Sequence, residues 1–119
     1  MGRTALIVDD SAEFRAVARV LLEAGGYRVC AEAATGEDAV ARAVRERPDV
    51  VLLDVGLPDR DGFDVCREVR RRVPDSVVVL CSVRDEECYG DAVARCGAAG
   101  FVAKAALTAE AVTAYVERR

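Results

Sequence analysis

The chain contains no histidine, no CxxC pair, no basic stripe and no apolar run of membrane-spanning length, and each absence removes a class of function. Without histidine, the five cysteines (Cys30, Cys66, Cys81, Cys88 and Cys96) lack the partners of a mixed zinc site, and their odd number and irregular spacing do not describe a disulfide framework. They are expected to be reduced packing residues. A formal net charge of −4 and a pI near 4.9 argue against a surface that binds nucleic acid or anionic lipid, because phosphates are drawn by clustered cations. Arg70, Arg71 and Arg72 are the nearest approach to such a cluster, and they fall in the last turn of a predicted helix, where cations complement the macrodipole. The N-terminus has no signal-peptide core, and Leu6 stands where myristoylation would want Ser or Thr. A soluble cytoplasmic protein is expected, with no repeat, low-complexity tract or linker.

What is present is one domain's worth of alternating elements. At 119 residues the chain is expected to form a single domain over 1–119, burying about two thirds of its unfolded surface. Apolar runs at 5–8, 50–53, 77–80 and 101–103 show no period-2 alternation, which suits strands covered on both faces of a parallel sheet; 27–33 is a weaker, more alternating strand. Between them lie helical patterns. Phe14, Val17, Ala18, Leu21 and Leu22 form a stripe that Gly25-Gly26 ends, and Thr35 with Asp38 resembles a capping box for a helix stopping before Pro48. Phe63, Cys66, Val69 and Val73 share a face up to Pro74, and Val112, Tyr115 and Val116 follow a Thr108 cap. The fourth helix, about 85–96, is the weakest pattern because Gly90 interrupts it. Five strands alternating with five helices predict an α/β sandwich with a five-stranded parallel sheet, best fitted by the flavodoxin-like order 2-1-3-4-5.

The residues just after the strands carry the chemistry: Asp9-Asp10 after the first, Asp54 after the third, Ser82 after the fourth and Lys104 after the fifth. C-terminal strand ends line the ligand crevice of an open parallel sheet, and in this order the first and third strands are neighbours at the switch point, so the three carboxylates meet. Two ionised carboxylates about 4 Å apart repel by roughly 4 kcal/mol at an effective dielectric of about 20, so the cluster implies a cation. Mg²⁺, which takes few carboxylates and keeps waters and a phosphate oxygen, fits the oxygen donors. Lys104 and the Ser82 hydroxyl would hold an anionic group transferred onto Asp54. In the loop "GLPDRDG", Gly56 is expected to bring its backbone carbonyl close to the metal, and Pro58 to stiffen the turn. Each residue alone has a plainer explanation: Asp10-Ser11 as a helix cap, Lys104 as a surface lysine, the glycines and proline as turn residues. Four strand ends carrying a complementary set are harder to explain as caps.

The segments "LIVDDS", "VVLLDVGLPDRDGFDV", "VVVLCS" and "GAAGFVAK", at these intervals, make nearly the whole chain resemble a bacterial two-component response-regulator receiver domain. The resemblance implies that Asp54 is the phosphoacceptor and that Asp10, Asp54 and the Gly56 carbonyl coordinate Mg²⁺, with Asp9 helping through water. Ser82 would be the hydroxyl that senses the phosphoryl group, Phe101 the aromatic switch and Lys104 the contact to phosphoryl oxygens. The donor would be a sensor histidine kinase or a small phosphodonor, since the chain has no histidine of its own. The output would be a changed surface around the fourth helix, fifth strand and fifth helix, read by a downstream protein, a linked output domain or a phosphorylation-dependent homodimer. Such a domain catalyses only its own phosphotransfer and dephosphorylation. Its ending at Arg119 suits a stand-alone receiver or a fragment of a longer regulator.

Three positions depart from the family's habit. Ala105 follows Lys104 where proline is common, Phe101 replaces a frequent tyrosine, and Val83 stands where a small residue is frequent. Val83 is expected either to gate the anion pocket or to point into the sheet–helix core. Two rival functions remain at this stage. A degenerate receiver would bind partners without phosphorylation, and a phosphohydrolase would use Asp54 as nucleophile, although Gly56 occupies the place of its second acid.

Overall fold

The structure, a computed structural model, describes residues 2–118; Met1 and Arg119, the two ends of the expected 1–119 domain, lie outside the described residues. Five strands, β1 (Thr4–Val8), β2 (Arg28–Ala33), β3 (Val50–Asp54), β4 (Val77–Ser82) and β5 (Gly100–Ala103), form one parallel sheet of order β2-β1-β3-β4-β5. Helices α1 (Ala12–Ala24), α2 (Gly36–Glu46), α3 (Gly62–Arg72), α4 (Ala92–Arg95) and α5 (Ala109–Glu117) connect them, as the alternation predicts.

The uniformly apolar strands have two buried faces because alternate side chains enter two different cores. Leu6, Val8, Leu53 and Leu80 pack with Phe63, Val69 and other residues of the α2–α3 side, while Ala5, Ile7, Leu52 and Val79 pack with Leu22, Val112 and Val116 on the α1–α5 side. Every residue of β3 and β4 is buried. Burying one such Leu or Val stabilises by about 1.5–3 kcal/mol, which is what holds the central strand ends in place.

Helix starts follow the expected caps. Ser11, Thr35 and Thr108 each accept a hydrogen bond from the backbone N–H three residues on, and Asp61 accepts from Phe63 N–H at the start of α3. Gly26, with φ of 97°, turns the chain out of α1 in the left-handed region that favours glycine. The three arginines do lie in the last turn of α3.

Three expectations are corrected. The fourth helix is not one element: a 3₁₀ turn (Glu86–Tyr89) precedes the four-residue α4, and Gly90 between them has φ 59° and ψ −131°, a conformation that breaks a helix. Val17 is 55 % exposed, because the buried seam of α1 runs through Ala18 and Leu22 and leaves Val17 and Val20 on an outer face. Cys88 is exposed, unlike the buried Cys66, Cys81 and Cys96 and the half-buried Cys30, although all five are free thiols as expected. No helix among the described residues is long and apolar enough to cross a membrane.

Candidate functional site

Strand register decides which side chains meet. Val8 pairs with Leu53 across β1–β3, so the next residue, Asp9, comes level with Asp54 at the sheet's C-terminal edge. Asp54 in turn pairs with Cys81 across β3–β4, and Ser82 pairs with Ala103 across β4–β5, which puts Lys104 one step beyond. The crevice at the switch point thus receives residues from four strand ends.

The three carboxylates predicted to converge do so: one oxygen each from Asp9, Asp10 and Asp54 lie within 4.8 Å of one another, Asp9 and Asp54 buried and Asp10 exposed. Lys104 Nζ stands 2.6 Å from Asp9 Oδ2 and 3.8 Å from Asp54 Oδ2. The Asp9 contact has an ion pair's distance without a hydrogen bond's alignment, so this buried oxygen has no hydrogen-bond partner among the described residues. Asp9 Oδ1 accepts from Ser11 N–H at 2.8 Å, and Asp54 Oδ1 accepts from Gly56 N–H at 3.2 Å. One lysine against three acids leaves a concentration of negative charge and free oxygen lone pairs. That donor set suits a hard divalent cation and fits Mg²⁺.

The electrostatics show the same imbalance. Burial, reinforced by the charge of Asp9 and opposed by Lys104 and the Gly56 N–H, holds the Asp54 carboxyl above its ordinary pKa. Burial alone would lower Lys104, but its contact with Asp9 and the charges of Asp54 and Asp9 outweigh that and hold the ammonium above its ordinary value. Burial likewise pushes the Cys81 thiol up to about 12, so the cysteine paired with Asp54 across β3–β4 stays protonated at neutral pH.

Within the "GLPDRDG" loop the steric need for glycine lies at Gly62. A side-chain carbon on Gly56 would meet nothing within 4 Å, and Gly56 is absent from the positive-φ glycines, so its own backbone imposes no need for glycine. At Gly62 the same carbon would lie 2.7 Å from Val55 O and 2.8 Å from Asp54 O. Only glycine lets the first turn of α3 sit against the backbone that carries Asp54. The departure at Ala105 leaves the Lys104 loop as a 3₁₀ turn over Lys104–Ala106, closed by Leu107 N–H donating to Lys104 O. Phe101 is buried, and Val83 is 81 % exposed, which removes the core alternative for that side chain.

Three contributors were not singled out by sequence. Asp59, in the loop between β3 and α3, accepts from the N–H groups of Gly36 and Glu37, fastening that loop to the start of α2; these bonds hold its carboxyl below the usual range. An acid before Asp61 in a turn gives no hint of a partner two elements away. Phe14, assigned to the α1 seam, places its ring centroid 4.4 Å from Lys104 Nζ and helps aim the ammonium. Tyr89 Oη lies 2.6 Å from Ser82 Oγ.

Comparison with known proteins agrees with this geometry. Residues 5–117 match the family model of the response regulator receiver domain. The chemotaxis protein CheY of Thermotoga maritima is 31 % identical over 104 residues, covering 87 % of each chain. The response regulator GacA of Pseudomonas aeruginosa is 36 % identical over 110 residues, which are 92 % of this chain and 51 % of GacA, so the chain spans about half of that longer relative. Among solved structures, the signal receiver domain of the response regulator NarL from Mycobacterium tuberculosis superposes with a TM-score of 0.91 at 30 % identity, covering 99 % of this chain and 98 % of that one. With the sheet order, the carboxylate cluster and the family match in agreement, the chain belongs to the response-regulator receiver domains of two-component signalling systems.

Proposed function

We propose that this receiver accepts a phosphoryl group on Asp54 from the phosphohistidine of a sensor histidine kinase and passes the signal through the surface around α4, β5 and α5. The observation that carries the reading is the buried Asp54 carboxylate, with two further acids within 4.8 Å and the Lys104 ammonium at 3.8 Å. In the transfer, an Asp54 carboxylate oxygen bonds to phosphorus as the P–N bond to the donor imidazole breaks, and the electron pair leaves with the imidazole. Lys104 stabilises charge on the phosphoryl oxygens, and the Ser82 hydroxyl donates to one of them.

The Asp9, Asp10 and Asp54 carboxylates and the Gly56 carbonyl are the groups that would hold Mg²⁺, Asp9 through water. Bound there, the ion neutralises the clustered acids and the incoming phosphoryl charge. Phe101, buried beside Leu80, is assigned the aromatic switch position. On this reading the chain acts on no substrate beyond its own phosphorylation and dephosphorylation. Residues 1–119 form one cytoplasmic domain, and the signal goes to a downstream protein, a second copy or an attached output domain. The longer GacA relative supports the last arrangement.

Intact-mass measurement after incubation with acetyl phosphate and Mg²⁺ tests this. One adduct of about 80 Da, the mass of a single phosphoryl group, is expected on the wild type and none on Asp54→Asn. An adduct that persists in Asp54→Asn overturns the acceptor assignment. No adduct on either protein would favour a receiver that binds partners without phosphorylation.

A further inference from the structure

The hydroxyl assigned to meet the phosphoryl group is already engaged. Ser82 Oγ accepts from Arg84 N–H at 3.0 Å and lies 2.6 Å from Tyr89 Oη. Strand alternation also sets Ser82 apart from the acceptor. Ser82 has the parity of Leu80 and faces the α2–α3 core, whereas Asp54 has the parity of Leu52 and faces the α1–α5 side. To donate its one proton to an oxygen on Asp54, the Ser82 side chain has to turn across the strand ends, away from Tyr89.

Tyr89 is held for this contact by rings rather than by its own helix. Its centroid lies 5.5 Å from that of Phe63, edge to face, and 5.8 Å from that of Phe101. It is the last residue of the 3₁₀ turn, just before the left-handed Gly90. Phe101 has no hydroxyl, so the aromatic hydroxyl in contact with Ser82 comes from the segment that leads into α4.

We propose that Tyr89 is a positioning residue that latches Ser82 away from the acceptor, so that phosphorylation of Asp54 breaks the Ser82–Tyr89 hydrogen bond and frees the 86–96 segment. The latch lowers the affinity of the site for a phosphoryl group and converts occupancy of Asp54 into a change at the segment leading into α4. The inference rests on Asp54 being the acceptor.

Beryllium fluoride, an inorganic phosphoryl mimic, tests it without a kinase. With Mg²⁺ held constant, it is titrated into wild type, Tyr89→Phe, Ser82→Ala and the double variant, and bound fluoride is read by ¹⁹F NMR. Phenylalanine keeps the ring contacts and removes only the hydroxyl. Loss of one hydrogen bond that opposes binding predicts a half-saturating concentration about fivefold lower in Tyr89→Phe than in wild type. In the Ser82→Ala background the same change should have no effect, since the partner hydroxyl is gone. Unchanged or weaker binding in Tyr89→Phe overturns the latch, as does an equal gain in both backgrounds, which would mark a merely structural role. If wild type binds no beryllium fluoride at all, the acceptor assignment fails and the latch falls with it.

Discussion

At the ends of β1 and β3 the Asp9 and Asp54 side chains are fixed from several directions, whereas the segment after β4 is held at a few points. Asp9 and Asp54 are buried, tied to backbone N–H groups and faced by Lys104, and α1, α2 and α3 all start on a side-chain cap. The 3₁₀ turn Glu86–Tyr89 and the four-residue α4 have no side-chain cap, and their buried anchors in the core are Val93 and Cys96, with Tyr89 half-buried. A missing cap alone is worth about 1 kcal/mol, and a four-residue helix is far below the length at which helices sustain themselves. On the proposed function, chemistry needs fixed distances and signalling needs a segment whose two arrangements differ little in free energy, and a tightly held region stands beside a loosely held one at this sheet edge.

Native-state hydrogen exchange should show the largest contrast. Amides in β1 and β3 are expected to open only with global unfolding, and those of 86–96 through local opening, exchanging about a hundredfold faster or more. Equal protection in the two regions would remove the comparison. Mg²⁺ should act on the other side of it. At about a hundred times its dissociation constant the ion should stabilise wild type by about 2.7 kcal/mol, and Asp10→Ala should lose most of that gain. An identical rise in melting temperature for both proteins would refute the metal assignment.

Without Mg²⁺, Asp54→Asn should melt higher than wild type near neutral pH. Burial and the Asp9 charge raise the folded carboxyl above its ordinary value of 3.8, so the folded state keeps a proton that the unfolded chain has released. Wild-type stability therefore falls as pH rises through that window. The advantage of Asn is full above the folded pKa and shrinks as pH drops towards 3.8. A thermal melt series across pH checks this, and a pH-independent difference would place the effect in packing.

How far the sequence could be read follows the same division. The strand ends were legible because continuous apolar runs mark doubly covered strands, and a parallel order then fixes which ends adjoin; Asp9, Asp10, Asp54 and Lys104 came together on that logic. Caps at Ser11, Thr35 and Thr108 were legible as local chemistry. The fourth helix was not, since the acids at 85–87 suit a first turn while the φ of 59° at Gly90 depends on tertiary context. Val17 fits an apolar stripe by spacing, yet α1 buries only the narrower i, i+4 seam of Ala18 and Leu22. Tyr89 lies in a polar stretch whose periodicity points nowhere; its role appears only once the loop carries it back onto Ser82.

The smallest expected effect concerns Val83, which lies between the two regions. At 81 % exposure it packs into no core, so Val83→Ala should change stability by no more than about 0.5 kcal/mol, as surface substitutions away from special features do. Its stiff β-branched side chain nevertheless follows Ser82 directly, and on the proposed function a phosphodonor would approach Lys104 and Asp54 over that rim of strand ends. If that side chain obstructs entry, the alanine variant should take phosphoryl from acetyl phosphate faster and, because water uses the same rim, lose it faster. Comparing both rates at equal folded fraction separates access from energetics: a gate speeds the two directions together, while an effect on the acceptor's free energy moves them unequally. Unchanged rates in both directions would show that Val83 does not obstruct the approach to Asp54.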